Sequence, residues 1–517
     1  MNVVVVLIII ITLLKKIIFS PRKKIKEEEE IIIILFFKDK DFMMRPDILE
    51  ISAVEIHVPD DKEQQKEREQ IFNGEQLFTM EKIIRAGLWA AILTCFLAVG
   101  LAVDPFVGVE YFESAAGGMK LHLLNDTEST GAVCLDGTPA GFYYSPAASA
   151  DASKSWQIYF QGGGWCYDKM DCYGRSKGNL GSSSAWPPSA SLNGIVSSDC
   201  EVNPDFCNFH RVWLAYCDGN SFSGNRGEPV VVQGKKLYFR GRRIIDETLK
   251  TLSTSFGMDQ AETVMLTGCS AGGLATFLHT DYVHKELKTK WARRLQKFKA
   301  AAISGFFLQH ATVEGKQVYP EEMKSIFQLA NSTNGLNEDC VASFPPDQQW
   351  QCNFAQHAYA HTKSDTFPLN SALDSWQTGC IYTSELVNGF PNQQVTKNGN
   401  CSAAAGWAAC ASNPEDCDTH QMITMNQYMK DFQSIMADTE TYKRRGNGAF
   451  IHSCHTHCEA QSGEYNTFKI NGISMQMAVS AWWNSDGTDP ASKHTYTPCE
   501  YNTEKGKPHM CNPTCRI

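Results

Sequence analysis

"LTGCSAGG", Leu266 to Gly273, holds Gly268-Cys269-Ser270-Ala271-Gly272, a match to the G-x-S-x-G pattern. Three fixed positions in a chain of 517 residues specify little alone, so the flanks decide. Before the serine lies the apolar stretch "TVML", part of the β-like run "TVMLTGC" (263–269), suited to a buried strand. Behind it "AGGLATFLHTDYVHKEL" (271–287) is helix-compatible. A nucleophile elbow requires this strand–turn–helix setting. Glycine at 268 and 272 removes Cβ atoms where the turn is tightest, which lifts Ser270 Oγ above the sheet edge. The helix start aims backbone N–H groups at a developing oxyanion. The plainer reading, an ordinary glycine-rich turn, explains the glycines but not the serine between these flanks. Cys269 is a rival nucleophile by identity alone. Side chains alternate along a strand, so it points away from the apex and reads as a structural cysteine.

Other short apolar runs end in glycine, cysteine or polar clusters: "WQIYF" (156–160), "RVWLAYC" (211–217), "AAAISGFF" (300–307) and "GAFIHSC" (448–454). Helix-compatible segments such as "GRRIIDETLKTLS" lie between them. Continuous apolar strands alternating with helices predict an α/β fold, a mostly parallel sheet covered on both faces.

A serine needs a base and an orienting acid, here in the order Ser, Asp/Glu, His. "PLNSALDSWQ" supplies Asp374 after an apolar stretch, and "FIHSCHTHCE" supplies His452, His455 and His457. Asp218 in "YCDG" precedes the serine and fits the order badly. The residues themselves leave the three histidines open. "IYFQGGGWC" places Gly162, Gly163 and Gly164 after a strand and well before the elbow, where a second loop of oxyanion donors is expected. "HSCHTHC" also has zinc-ligand residue types, but no C-x-x-C pair with finger spacing stands near it.

A net charge of −10 argues against a nucleic-acid binder, which shows a basic face. Nineteen cysteines, all but Cys95 between Cys134 and Cys515, predict an oxidising compartment and a disulfide-stapled enzyme. Sequons at Asn125, Asn331 and Asn400 are compatible with secretion. Residues 1–79 alternate short apolar runs with charge blocks such as "RKKIKEEEE" and read as a non-globular extension. Residues 80–102 have basic residues, an apolar run and small residues before Val103, the layout of a signal peptide, or of an anchor if retained. Residues 103–517 show no long linker and read as one catalytic domain, with 390–417 as a disulfide-tied loop.

Together "GFYYSP", "QGGGWC", "NPDFCNFHRVWLAYCDGNSFSG", "LYFRGRRI", "LTGCSAGGLATFLHTDYV", "FPLNSALDSWQ" and "FIHSCHTHC" resemble the pectin acetylesterase family, which includes the animal Notum carboxylesterases. The resemblance implies an α/β-hydrolase fold and a secreted, monomeric serine esterase without metal or cofactor. Its nucleophile falls on Ser270, its acid on Asp374, and its base on the histidine of S-C-x-x-H, His457. Oxyanion donors fall on the N–H groups of Gly163, Gly164 and Ala271. The three glycines before Trp165 look like the plant branch, whereas Gln161 stands where the family commonly has an acidic residue. The expected substrate is an acetylated cell-wall polysaccharide such as pectin, with no nucleic-acid partner and membrane contact only through a retained N-terminal segment. The rivals are a Notum-like lipid or protein O-deacylase and a non-catalytic secreted binding protein of the same fold.

Overall fold

A computed structural model describes residues 118–387, 390–391, 401–485, 494–496 and 512–515. The extension 1–79, the segment 80–102 and the sequon at Asn400 lie outside them.

Ten strands form the central sheet. They are β1 (Met119–Leu123), β2 (Gly141–Ser145), β3 (Ser155–Phe160), β4 (Ser189–Ala190) and β5 (His210–Leu214), then β6 (Thr263–Cys269), β7 (Lys297–Ile303), β8 (Asp365–Ser371), β9 (Ala449–His452) and β10 (His494–Tyr496). Their spatial order is β10-β9-β8-β7-β6-β3-β5-β2-β1-β4. From β5 to β10 every neighbouring pair is parallel, while β2, β1 and β4 add an antiparallel edge. This is the expected α/β sheet.

Side chains alternate across it and feed two separate cores. Ile158, Phe160, Val212, Leu214, Val264, Leu266, Ala300 and Ala302 face one side. Tyr159, Trp213, Met265, Cys269, Ala301 and Ile303 face the other. The first face is covered by α2 (Gly241–Ser255), α3 (Ala271–Glu286), α4 (Val318–Ala330) and α5 (Thr419–Ala437), numbered after α1 (Lys169–Arg175). The second is covered by α6 (Met475–Asn484), through Val479, Trp482 and Trp483. Burial on both faces explains the unbroken apolar runs of the central strands.

Three strands depart from their expected bounds by more than one residue, and one of them, "GAFIHSC" (448–454), is strand only over Ala449–His452. The run "RVWLAYC" leaves the sheet after Leu214, and Cys217 bonds instead to Cys134. β7 begins at Lys297 and ends at Ile303, rather than covering 300–307. Its polar start hides the strand: Lys297 Nζ lies 3.9 Å from the Trp483 ring centroid, and Lys299 Nζ donates to the Trp482 carbonyl at 2.7 Å. Part of the expected loop at 390–417 is helical, Ala408–Ser412, and it is tied by Cys380–Cys401 and Cys410–Cys417.

β6 hands over to α3 with no room to spare. A Cβ on Gly272 would stand 2.0 Å from the Phe160 carbonyl oxygen, and one on Gly268 would stand 2.4 Å from that of Gly272. Both contacts are to backbone, which cannot swing aside. Gly272→Ala is therefore expected to destabilise the fold by about 3 kcal/mol, the upper range for overpacking. Denaturant titration measures this, and an unchanged midpoint would contradict the close approach.

Candidate active site

Ser270 sits between β6 and α3 with φ 60° and ψ −126°. A non-glycine residue held there stores about 1–3 kcal/mol of strain. The surroundings enforce it: Ser270 N–H donates to the Ile303 carbonyl at 3.1 Å, and its own carbonyl accepts from Leu274 N–H at 2.8 Å. The first turn of α3, starting at Ala271, has no preceding helical carbonyls to satisfy its N–H groups.

Asp374 lies just beyond β8 and is fully buried. Its Oδ1 accepts from Gln377 N–H at 3.0 Å, capping a single helical turn, while its Oδ2 accepts from His457 Nδ1 at 2.8 Å. The carboxylate therefore keeps the proton on Nδ1 and leaves Nε2 as the basic nitrogen. That Nε2 is buried and makes no hydrogen bond among the described residues, to Ser270 Oγ included.

The other two histidines are committed elsewhere. His452 Nε2 pairs with Glu459 Oε1 at 2.7 Å, both side chains fully buried, and its Nδ1 accepts from Cys454 N–H at 3.2 Å. His455 Nε2 meets Thr378 Oγ1 at 3.1 Å. Of the three, His457 alone is paired with Asp374. Asp218 is buried away from this pair, accepting Phe222 N–H at 3.0 Å. Burial pushes it up to about 6, although the N–H groups of Phe222 and Gly224 and the charge of Arg175 oppose the rise.

Two elements of the site had no signal in the sequence. One is Glu459: its carboxylate bonds His452 and accepts from Ser304 Oγ at 3.4 Å, and Ser304 Oγ accepts Cys458 N–H at 3.0 Å. Burial works to raise its pKa, but the charge and hydrogen bond of His452 outweigh that and hold it below the usual glutamate range. The other is the partner of Cys269. Cys269 bonds to Cys458, so the residue before Ser270 is joined covalently to the residue after His457, with Cα atoms 5.7 Å apart. Cys454 pairs with Cys515, so neither cysteine of the "HSCHTHC" run offers a thiolate to a metal. Burial acts to lower the His457 pKa, but the Asp374 carboxylate and, less strongly, Glu459 overcome it and hold the imidazole above its ordinary value.

The glycine loop follows β3 as expected. Gly162 lies so close to the elbow that a Cβ there would be 2.9 Å from Ser270 Cβ and 2.4 Å from the Cys269 carbonyl oxygen. Gly163 and Gly164 both have positive φ, 133° and 65°. The structure thus places Ser270 beside this loop and His457 on Asp374.

Over residues 112–516 the sequence matches the family described as Pectinacetylesterase. It is 30% identical over 409 residues to pectin acetylesterase 5 of Arabidopsis thaliana, covering 77% of this chain and 84% of that protein. Pectin acetylesterase 4 of the same plant is 31% identical over 369 residues, covering 71% and 83%. Palmitoleoyl-protein carboxylesterase notum2 of Xenopus laevis is 28% identical over 425 residues, covering 80% and 77%. The structure of the Wnt deacylase Notum from Drosophila superposes with a TM-score of 0.60 at 23% identity, over 77% of this chain and all of that one. At that identity the likeness carries the fold alone.

The Cys269–Cys458 bond closes a span of 189 residues. A Cys269→Ala/Cys458→Ala variant is expected to lose about 2–5 kcal/mol of stability. Denaturant unfolding checks this, and a midpoint equal to wild type would count against the bond.

Proposed function

The chain belongs to the pectin acetylesterase family and is a carboxylic-ester hydrolase, and we propose that it is a secreted serine esterase removing acetyl groups from a cell-wall polysaccharide such as pectin. The observation that carries this reading is the His457–Asp374 pair, 2.8 Å apart, held next to the elbow by Cys269–Cys458. In the proposed mechanism Ser270 Oγ attacks the acetyl carbonyl and its proton passes to His457 Nε2. Asp374 keeps the imidazole in that tautomer and stabilises its cationic form. The amides of Gly163, Gly164 and Ala271 receive the oxyanion. His457 then gives its proton to the departing sugar oxygen. A water, deprotonated by His457, attacks the acetyl-enzyme, and acetate leaves as Ser270 regains its proton.

An aromatic wall stands beside the base. Trp165, Phe307 and Tyr319 are buried and Trp376 half-buried, and they pack on one another with centroids 4.9–6.4 Å apart. Phe307 lies 6.2 Å and Trp376 6.5 Å from the His457 ring. Secretion is supported by the pairing of every described cysteine, in eight disulfides. Asn125 and Asn331 are exposed, as glycan acceptors must be. No helix among the described residues is long and apolar enough to cross a membrane.

The purified protein is expected to hydrolyse 4-nitrophenyl acetate, with Ser270→Ala and His457→Ala each losing at least about 10³-fold in kcat. His455→Ala should keep most of its activity. Wild type no faster than Ser270→Ala would sink the esterase reading, and an inactive His455→Ala would move the base. Faster turnover of long-chain than of acetyl esters would favour lipid deacylation. Acetate release from a panel of acetylated polysaccharides identifies the substrate.

The acid limb of kcat/KM should lie above pH 6.5, because the base must be neutral and its pKa is raised. Glu459→Gln removes one of the negative charges that favour imidazolium, so its limb should move to lower pH. A limb that stays in place would show that Glu459 exerts no field on His457.

A further inference from the structure

The glycine loop poses a physical difficulty. Three consecutive glycines have more backbone freedom than any other tripeptide, yet an oxyanion hole works only if its amides are already aimed. Something must hold the peptide planes of residues 162–165. One group touches them in succession, the guanidinium of Arg175, which the proposed mechanism does not use.

Arg175 ends α1, and the Cys166–Cys172 disulfide folds that helix back against the loop it follows. Its Nη2 donates to the Gly163 carbonyl at 2.8 Å and to that of Gly164 at 3.3 Å. Its Nη1 donates to the Trp165 carbonyl at 3.4 Å, and its Nε to that of Leu180 at 3.2 Å. The guanidinium carbon lies 5.2 Å from the ring centroid of Tyr216, whose hydroxyl donates to the same Gly164 carbonyl at 2.8 Å. Asp218, fully buried, feels its charge from close by. One planar cation therefore gathers the carbonyl oxygens of three consecutive residues.

All peptide bonds described are trans. In a trans peptide the N–H points opposite to the C=O of the same plane. Fixing the Gly163 carbonyl on Arg175 therefore turns the Gly164 N–H away from the guanidinium, and fixing the Gly164 carbonyl turns the Trp165 N–H the same way. Gly162 marks where the elbow lies, since its α-carbon abuts Ser270 Cβ and the Cys269 carbonyl. A lysine could not replace this arrangement, because an ammonium is a point charge without a planar fork.

We propose that Arg175 is the positioning residue of the oxyanion loop, fixing the Gly163–Gly164 and Gly164–Trp165 peptide planes so that the outward N–H of Gly164, with that of Trp165 beside it, meets the ester oxygen as it becomes negative. The proposal rests on the esterase reading with Ser270 as nucleophile. Arg175 touches no substrate atom; it acts through the amides it orders.

The test compares the full chain with its Arg175→Ala, Arg175→Lys and Ser270→Ala variants on 4-nitrophenyl acetate. Arg175→Ala should lose about 10²-fold in kcat, the effect of one lost oxyanion donor, with KM nearly unchanged. Affinity for a trifluoromethyl ketone, which forms a tetrahedral adduct on the serine, should fall in parallel. Added guanidinium ion should restore part of kcat, and sodium chloride at equal ionic strength should not. A purely structural role would lower the number of serines reactive towards a fluorophosphonate and leave the kcat of the remaining sites intact. That result, or a folded Arg175→Ala with wild-type kcat, overturns the proposal. Should Arg175→Ala fail to fold, Arg175→Lys decides: a loss of about tenfold in kcat per reactive serine is expected, and no loss overturns it. If Ser270→Ala itself stays active, the assignment of Ser270 as nucleophile has failed; if it is inactive while both Arg175 variants match wild type, this proposal alone has failed.

Discussion

One covalent bond organises the site. Cys269 precedes the elbow serine and Cys458 follows the histidine that holds Asp374, and their disulfide brings together segments 189 residues apart in the chain. Cys269 points to the second face of the sheet because side chains alternate along β6, leaving Ser270 at the turn. The same bond holds Cys458, next to His457, against the residue before Ser270. Cys454–Cys515 and the His452–Glu459 pair close the loop from its other end. A histidine on an irregular segment is thereby held by covalent and ionic ties at both flanks.

Burial gives these ties their strength. Asp374, His452 and Glu459 are all withdrawn from water, where an unpaired charge would be costly. Each finds a hydrogen-bonding partner, so the low local dielectric strengthens the contacts rather than penalising them. The two carboxylates raise the proton affinity of His457 against the effect of burial. Ser270 stands in a strained conformation for a related reason: glycines 268 and 272 let three backbone segments close around it, and the crowding outweighs the strain.

The central strands were legible because they are apolar on both faces. "TVMLTGC" matches β6 residue for residue, and "WQIYF" falls one residue short of β3. Reading failed where a strand begins with charge: Lys297 and Lys299 look solvent-exposed until Trp482 and Trp483 of α6, far along the chain, are seen beneath them. It also overran β5, since Ala215, Tyr216 and Cys217 are as buried as the strand yet lie beyond its ladder, with Cys217 bonded to Cys134.

The amino-acid sequence by itself determined the central parallel strands, the elbow around Ser270, the glycine loop and the family to which the chain belongs. Those features are local, written in apolar periodicity and in glycines whose missing Cβ atoms the turns demand. Tertiary structure alone decided where His452 and His455 bond instead, which cysteine meets Cys269, and that Glu459 and Arg175 stand behind the site. These are pairings at long separation or across a fold-back, and residue type and spacing do not encode a distance until the chain has closed on itself.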